Sequence, residues 1–159
     1  MNIQFTIETT DYRESSIVDD FCDTICRNIR RDIYNGIVQA KIDSLEYDLI
    51  NASWINWIDK PTKLNMENLV TYMLNNIVCR KRLGGVCIIE IPHSVKLPHS
   101  TTPLEQVARF IDMGTEITPC TTFITRVFQK YKDNINDYWK SYVMFRLHRE
   151  SKGIVKDIG

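Results

Sequence analysis

Ile17, Phe21, Ile25, Ile29 and Ile33 recur every four residues, flanked by Val18, Cys22 and Cys26. Such a stripe is the apolar face of a helix, and a face of that length has to be buried against other elements of the chain. Ser15 or Ser16 can cap the helix. Asp19, Asp20 and Asp23 near its start and Arg27, Arg30 and Arg31 near its end suit the helix macrodipole. Before it, Ile3, Phe5 and Ile7 alternate with polar residues over 2–8, the pattern of a half-buried strand. Being terminal, residues 1–10 serve either as a strand of the domain's own sheet or as an arm for a neighbour's sheet edge.

Asn35-Gly36 is expected to end the first helix. A second helical pattern follows through Ile37, Val38, Ile42, Leu45 and Leu49 to Trp54-Ile55-Asn56-Trp57, and Pro61 stops it. Met66, Leu69, Val70, Met73, Leu74 and Ile77 define another helix, capped by Asn65, whose C-terminal end is Arg80-Lys81-Arg82. Gly84-Gly85 punctuates the chain before Val86-Cys87-Ile88-Ile89-Glu90-Ile91, a buried strand closed by Pro92. Thr102-Pro103-Leu104-Glu105 reads as a capping box with proline at the first helical position, opening a helix that ends at Gly114. A last amphipathic helix is expected from Phe123 to about Leu147, with a frayed tail over 150–159. The expected architecture is a single helix-dominated α+β domain with a small β-sheet and a long C-terminal helix.

The chain has 159 residues, 43% hydrophobic and 25% charged, which suits an ordinary globular domain able to bury a core without staples. No apolar run reaches membrane-spanning length, and the N-terminus lacks the features of a secretion signal. Twenty basic residues balance twenty acidic ones, which argues against coating nucleic acid by net charge. The charges are unevenly spread: residues 1–60 carry a net −5, residues 121–159 a net +4. Acidic and basic ends either pair within one molecule or meet between subunits.

Five cysteines without compact spacing disfavour a disulfide framework and suit a reducing compartment. Cys22 and Cys26, one turn apart, are zinc ligands only if joined by His93 or His99; their place on the apolar stripe favours core thiols. Cys120, near a helix start, is a weak candidate nucleophile, and Asp112 with Glu116 a weak carboxylate pair. The phosphate-loop, dinucleotide-binding and HExxH motifs are all missing, so no enzyme and no cofactor are expected.

Residues 98–131 carry a run that includes Phe110-Ile111-Asp112-Met113-Gly114-Thr115, followed by Pro119 and Phe123. This cadence resembles the head-tail connector and tail-completion proteins of tailed bacteriophages, over about 35 residues. Met113 stands where an aromatic is usual, no proline directly precedes Phe123, and an upstream Pro-x-x-Thr-Gly element is missing. The resemblance implies a structural virion protein of the neck or tail terminus, made in the host cytoplasm. It also implies a ring of copies of itself, typically six, joined to portal, neck or tail proteins, with DNA passing through the centre and no membrane partner. Interface candidates are Phe110, Asp112, Gly114, Thr115 and Phe123 from the motif. Trp139 and Tyr142 are added as apolar anchors, and Arg146 and Arg149 as electrostatic ones. The alternative is a small helical nucleic-acid-binding regulator using Arg80 to Arg82 and the basic last helix.

Overall fold

A computed structural model describes residues 1–8, 14–39, 70–96, 102–114 and 122–158, with side-chain surroundings for 16–36 of the second segment and 122–148 of the last. β1 (Asn2–Thr6) leads into α1 (Glu14–Gln39). A helical stretch, α2, occupies residues 70–75. The hairpin β2 (Val78–Arg82) and β3 (Val86–Glu90) follows, then α3 (Leu104–Met113), α4 (Phe123–Asp133) and α5 (Ile135–Ile158). The protein is a helix-dominated α+β domain with a three-stranded antiparallel sheet in the order β1-β3-β2.

β1 pairs with β3 of its own chain. The register puts Ile3 opposite Ile89 and Phe5 opposite Cys87, so both strands turn these side chains to the same face. That face is the core: Ile3, Phe5, Ile7, Cys87, Ile89 and Ile91 are buried together with Val18, Phe21, Ile25, Ile29 and Ile33 of α1. The Phe5 and Phe21 rings meet edge to face at 6.3 Å. α2 adds Val70, Met73 and Leu74, and α3 adds Leu104, Val107, Ala108 and Ile111. Each such side chain removed from water contributes about 1.5–3 kcal/mol for the larger residues.

The hairpin turn depends on glycine. Gly84 and Gly85 have φ of 84° and 75°, and a Cβ on Gly85 would lie 2.1 Å from the Ile7 carbonyl oxygen. Without that Cβ, the Ile7 N–H donates to the Gly85 carbonyl at 2.9 Å, which ties the end of β1 to the turn.

Several sequence expectations are corrected. α1 runs through Asn35-Gly36 to Gln39, and Gly36 lies against the Phe123 ring, where a Cβ would be in ordinary contact at 3.8 Å from Cδ1. Arg80-Lys81-Arg82 belongs to strand β2, not to a helix end. Alternation along β2 then sends Lys81 to the α1 side, where it binds Asp23 at 2.8 Å, and Arg80 to the other side, where it pairs with Glu90. α3 opens at Leu104, and Pro103 before it is extended at φ −64° and ψ 148°. The Leu104 N–H donates to the Val95 carbonyl, and Glu105 accepts from the Met1 ammonium at 2.7 Å. The expected last helix is two helices broken at Asn134, whose side-chain amide and N–H both donate to the Lys130 carbonyl. α5 continues to Ile158, past the expected frayed end. The expected helix over residues 37–57, Pro61, the Asn65 cap, His99, Thr115, Pro119 and Cys120 lie wholly or partly outside the described residues.

Candidate functional site

α1, α4 and α5 pack so that their facing polar and aromatic residues line a cleft of about 460 Å³. Its walls include Phe21, Asn28, Asp32, Tyr131, Tyr138 and Phe145. The helical spacing of α1 brings Phe21, Ile25, Asn28 and Asp32 to the cleft. Phe21 is the hub: Trp139 meets it edge to face at 5.2 Å and Tyr142 lies tilted at 5.4 Å. Tyr131 and Tyr138 are stacked at a tilt, 5.3 Å apart.

The floor of the cleft is polar. The Tyr131 hydroxyl donates to Asp32 Oδ2 at 2.5 Å, and Lys130 Nζ and Arg31 Nε lie 3.5 and 3.3 Å from the same carboxylate. Burial alone would raise the Asp32 carboxyl, but the Tyr131 hydrogen bond, Arg31 and Lys130 outweigh it and hold the group below its ordinary value. Tyr131 moves the other way, raised by burial and by the carboxylate it serves. These groups offer recognition chemistry: aromatic edges for an apolar side chain, with fixed charges at one end. Among the described residues no group of three or more His, Cys, Asp or Glu side chains is placed to hold a metal ion.

The residues expected from the sequence separate into three groups. Phe110, Asp112 and Gly114 belong to the α3–α4 junction. Asp112 is 1% exposed, accepts the Thr125 N–H at 3.0 Å on Oδ1 and takes the Thr125 hydroxyl on Oδ2, so its side chain pins the start of α4 to the end of α3. The Asp112 carbonyl accepts from the Thr122 N–H at 2.8 Å, and Gly114, at φ 80°, closes α3 by donating to the Phe110 carbonyl. Phe123 is half-buried, with the Arg126 guanidinium 5.0 Å over its ring. Trp139, Tyr142 and Arg146 form the second group, on the face of α5 that meets α1, where Arg146 reaches Asp20 at 3.3 Å and lies over the Tyr142 ring. Thr115 and the Arg149 side chain, the third group, lie outside the described residues.

Two features escaped the sequence. Asp32 and Tyr131 are 99 positions apart, and nothing local in the chain marks them as partners. Cys22 and Cys26 are core thiols of α1, but they lie with Cys79 and Cys87 of the hairpin; the four are free thiols, with Cys79 and Cys87 Sγ atoms 3.5 Å apart. His93 is exposed and 3.5 Å from Glu105. No family model, curated protein or solved structure matches the chain.

Proposed function

We propose that the chain is a structural subunit of a ring at the head-tail junction or tail terminus of a tailed bacteriophage, acting through repeated contacts between copies. The observation that carries the self-association is on α5. Its inward face is committed to α1 through Trp139, Tyr142 and Arg146, while Met144, Phe145 and Leu147 on the remaining surface are 68, 60 and 56% exposed. Three large apolar side chains within four residues are costly to leave in water and suit the buried centre of a subunit contact. Phe145 also forms one wall of the aromatic cleft, so strip and cleft make one continuous surface. The phage assignment itself rests on the resemblance around Phe110 to Thr115 and on the α+β fold that the resemblance implies.

In this reading the motif residues act inside the subunit. Asp112 and Gly114 fix the angle between α3 and α4, and through α4 they set the seat of α5. Ring closure needs a reproducible angle at each junction, so a rigid α3–α4 corner serves assembly without touching a neighbour. The regulator alternative gains no such support: Arg80 and Lys81 turn to opposite faces of the sheet, each held by an acidic partner of the same chain. Negative-stain imaging of the purified protein tests the proposal. Uniform rings with a central opening are expected, and a field of single small particles at every concentration would overturn it.

A further inference from the structure

Four thiols converge behind the hairpin. Cys22 and Cys26 come from α1, Cys79 from the edge strand β2 and Cys87 from the central strand β3. In the sheet register Cys79 faces Ile89 and Cys87 faces Lys81, which makes the two cysteines diagonal neighbours on the α1 side of the hairpin. Their Sγ atoms are 3.5 Å apart. Cys22, Cys26 and Cys87 are buried, whereas Cys79 is partly exposed on β2, an edge strand of the sheet among the described residues. Among these four residues Cys79 is the partly exposed one, and the Cys87 sulfur stands in contact with its own.

We propose that Cys79 is a site of oxidation by hydroperoxides and that Cys87 resolves it into a Cys79–Cys87 disulfide. In the first step the Cys79 thiolate attacks one oxygen of the peroxide. The O–O bond breaks, Cys79 Sγ gains a hydroxyl as a sulfenic acid, and the other oxygen leaves, with a proton, as water or alcohol. In the second step Cys87 Sγ attacks Cys79 Sγ, the S–O bond breaks, and water leaves with the Cys87 proton. Two thiols and one hydrogen peroxide give one disulfide and two waters, the peroxide being the two-electron oxidant.

The surroundings favour this order. Thiol donation from Cys26 and then from Cys87 holds the Cys79 thiol below its ordinary value. The same contacts work in reverse on their donors: Cys26 is raised first by its bond to Cys79, and Cys87 first by Cys22 and then by Cys79. Lys81 favours the Cys79 thiolate and Asp23 opposes it, while Arg30 acts on Cys26 one turn along α1. The product would bond the edge strand covalently to the centre of the sheet and close the hairpin against unzipping.

The test is a mass measurement on the full chain. The protein is treated with one equivalent of hydrogen peroxide at neutral pH, free thiols are blocked, and trypsin is added without reductant. Cleavage after Lys63, Arg80, Arg82 and Lys96 separates Cys79 in peptide 64–80 from Cys87 in peptide 83–96. The expected result is these two peptides joined, with a mass two hydrogens below their sum, while Cys22 and Cys26 carry the blocking group. In Cys87→Ala the expected result is a dimedone adduct on Cys79 and no joined peptide. Blocked, unoxidised Cys79 in wild type, or a link from Cys79 to any other cysteine, would overturn the proposal whether or not the variant folds.

Discussion

Asp112 shows how much one side chain can hold. Its carboxylate takes both the N–H and the hydroxyl of Thr125 in a site closed to water. Hydrogen bonds to an ionised group in such a site are worth about 1.5–3 kcal/mol, so Asp112→Ala should lower stability by about 2 kcal/mol or more. A urea titration should show a lower midpoint with an unchanged slope. Gly114→Ala should cost about 1–3 kcal/mol, because φ 80° with ψ 175° is open almost only to glycine. Gly85→Ala should cost clearly more, since its Cβ meets the backbone of Ile7 as well. Equal losses in the two variants would show that the end of β1 gives way freely. Gly114 was legible in the sequence because a helix end is a local pattern. A structural role for Asp112 at that helix end was legible for the same reason, but its partner Thr125 was not, because it lies 13 residues away.

Among the elements, α1 and β1 were legible from period alone, since a stripe of fours and an alternation of twos each have a single geometric reading, and β3 from its apolar β-branched run between Gly84-Gly85 and Pro92. β2 was not, because Val-Cys-Arg-Lys-Arg has too few apolar positions to show a period, and only pairing with β3 makes it a strand. The aromatic cleft was invisible for the same reason, being a product of three helices meeting. The bond between Asp32 and Tyr131 couples α1 to α4 and gives stability a definite pH dependence. Asp32 has a folded value below its ordinary 3.8, so its contribution is complete above about pH 4 and falls as acid protonates it. Tyr131 has a folded value above its ordinary 10.0, so the folded state holds its proton longer and stability falls as pH rises beyond about 10. Unfolding free energy measured across pH should show both declines in wild type. Tyr131→Phe should lose about 1–2 kcal/mol near neutrality and flatten the alkaline decline. An alkaline limb unchanged in Tyr131→Phe would assign it to another group.

At the scale of the whole molecule, the charge asymmetry of the sequence is partly spent within the subunit. Asp20, Asp23 and Asp32 of α1 meet Arg146, Lys81 and Lys130 at 3.3, 2.8 and 3.5 Å. Exposed pairs of this kind contribute about 0–1 kcal/mol each and are screened by salt, so Arg146→Glu should change stability little and leave assembly at high salt intact. The apolar strip of α5 is what a neighbour has to cover. The most direct measurement is the native mass of wild type beside a Met144→Asp/Phe145→Asp variant. Wild type should have the mass of a closed ring, a discrete multiple of 18.6 kDa. The variant should have the subunit mass with an unchanged urea midpoint, because both side chains are exposed in the subunit. Wild type at the subunit mass at every concentration, or a variant that assembles as wild type does, would contradict the account.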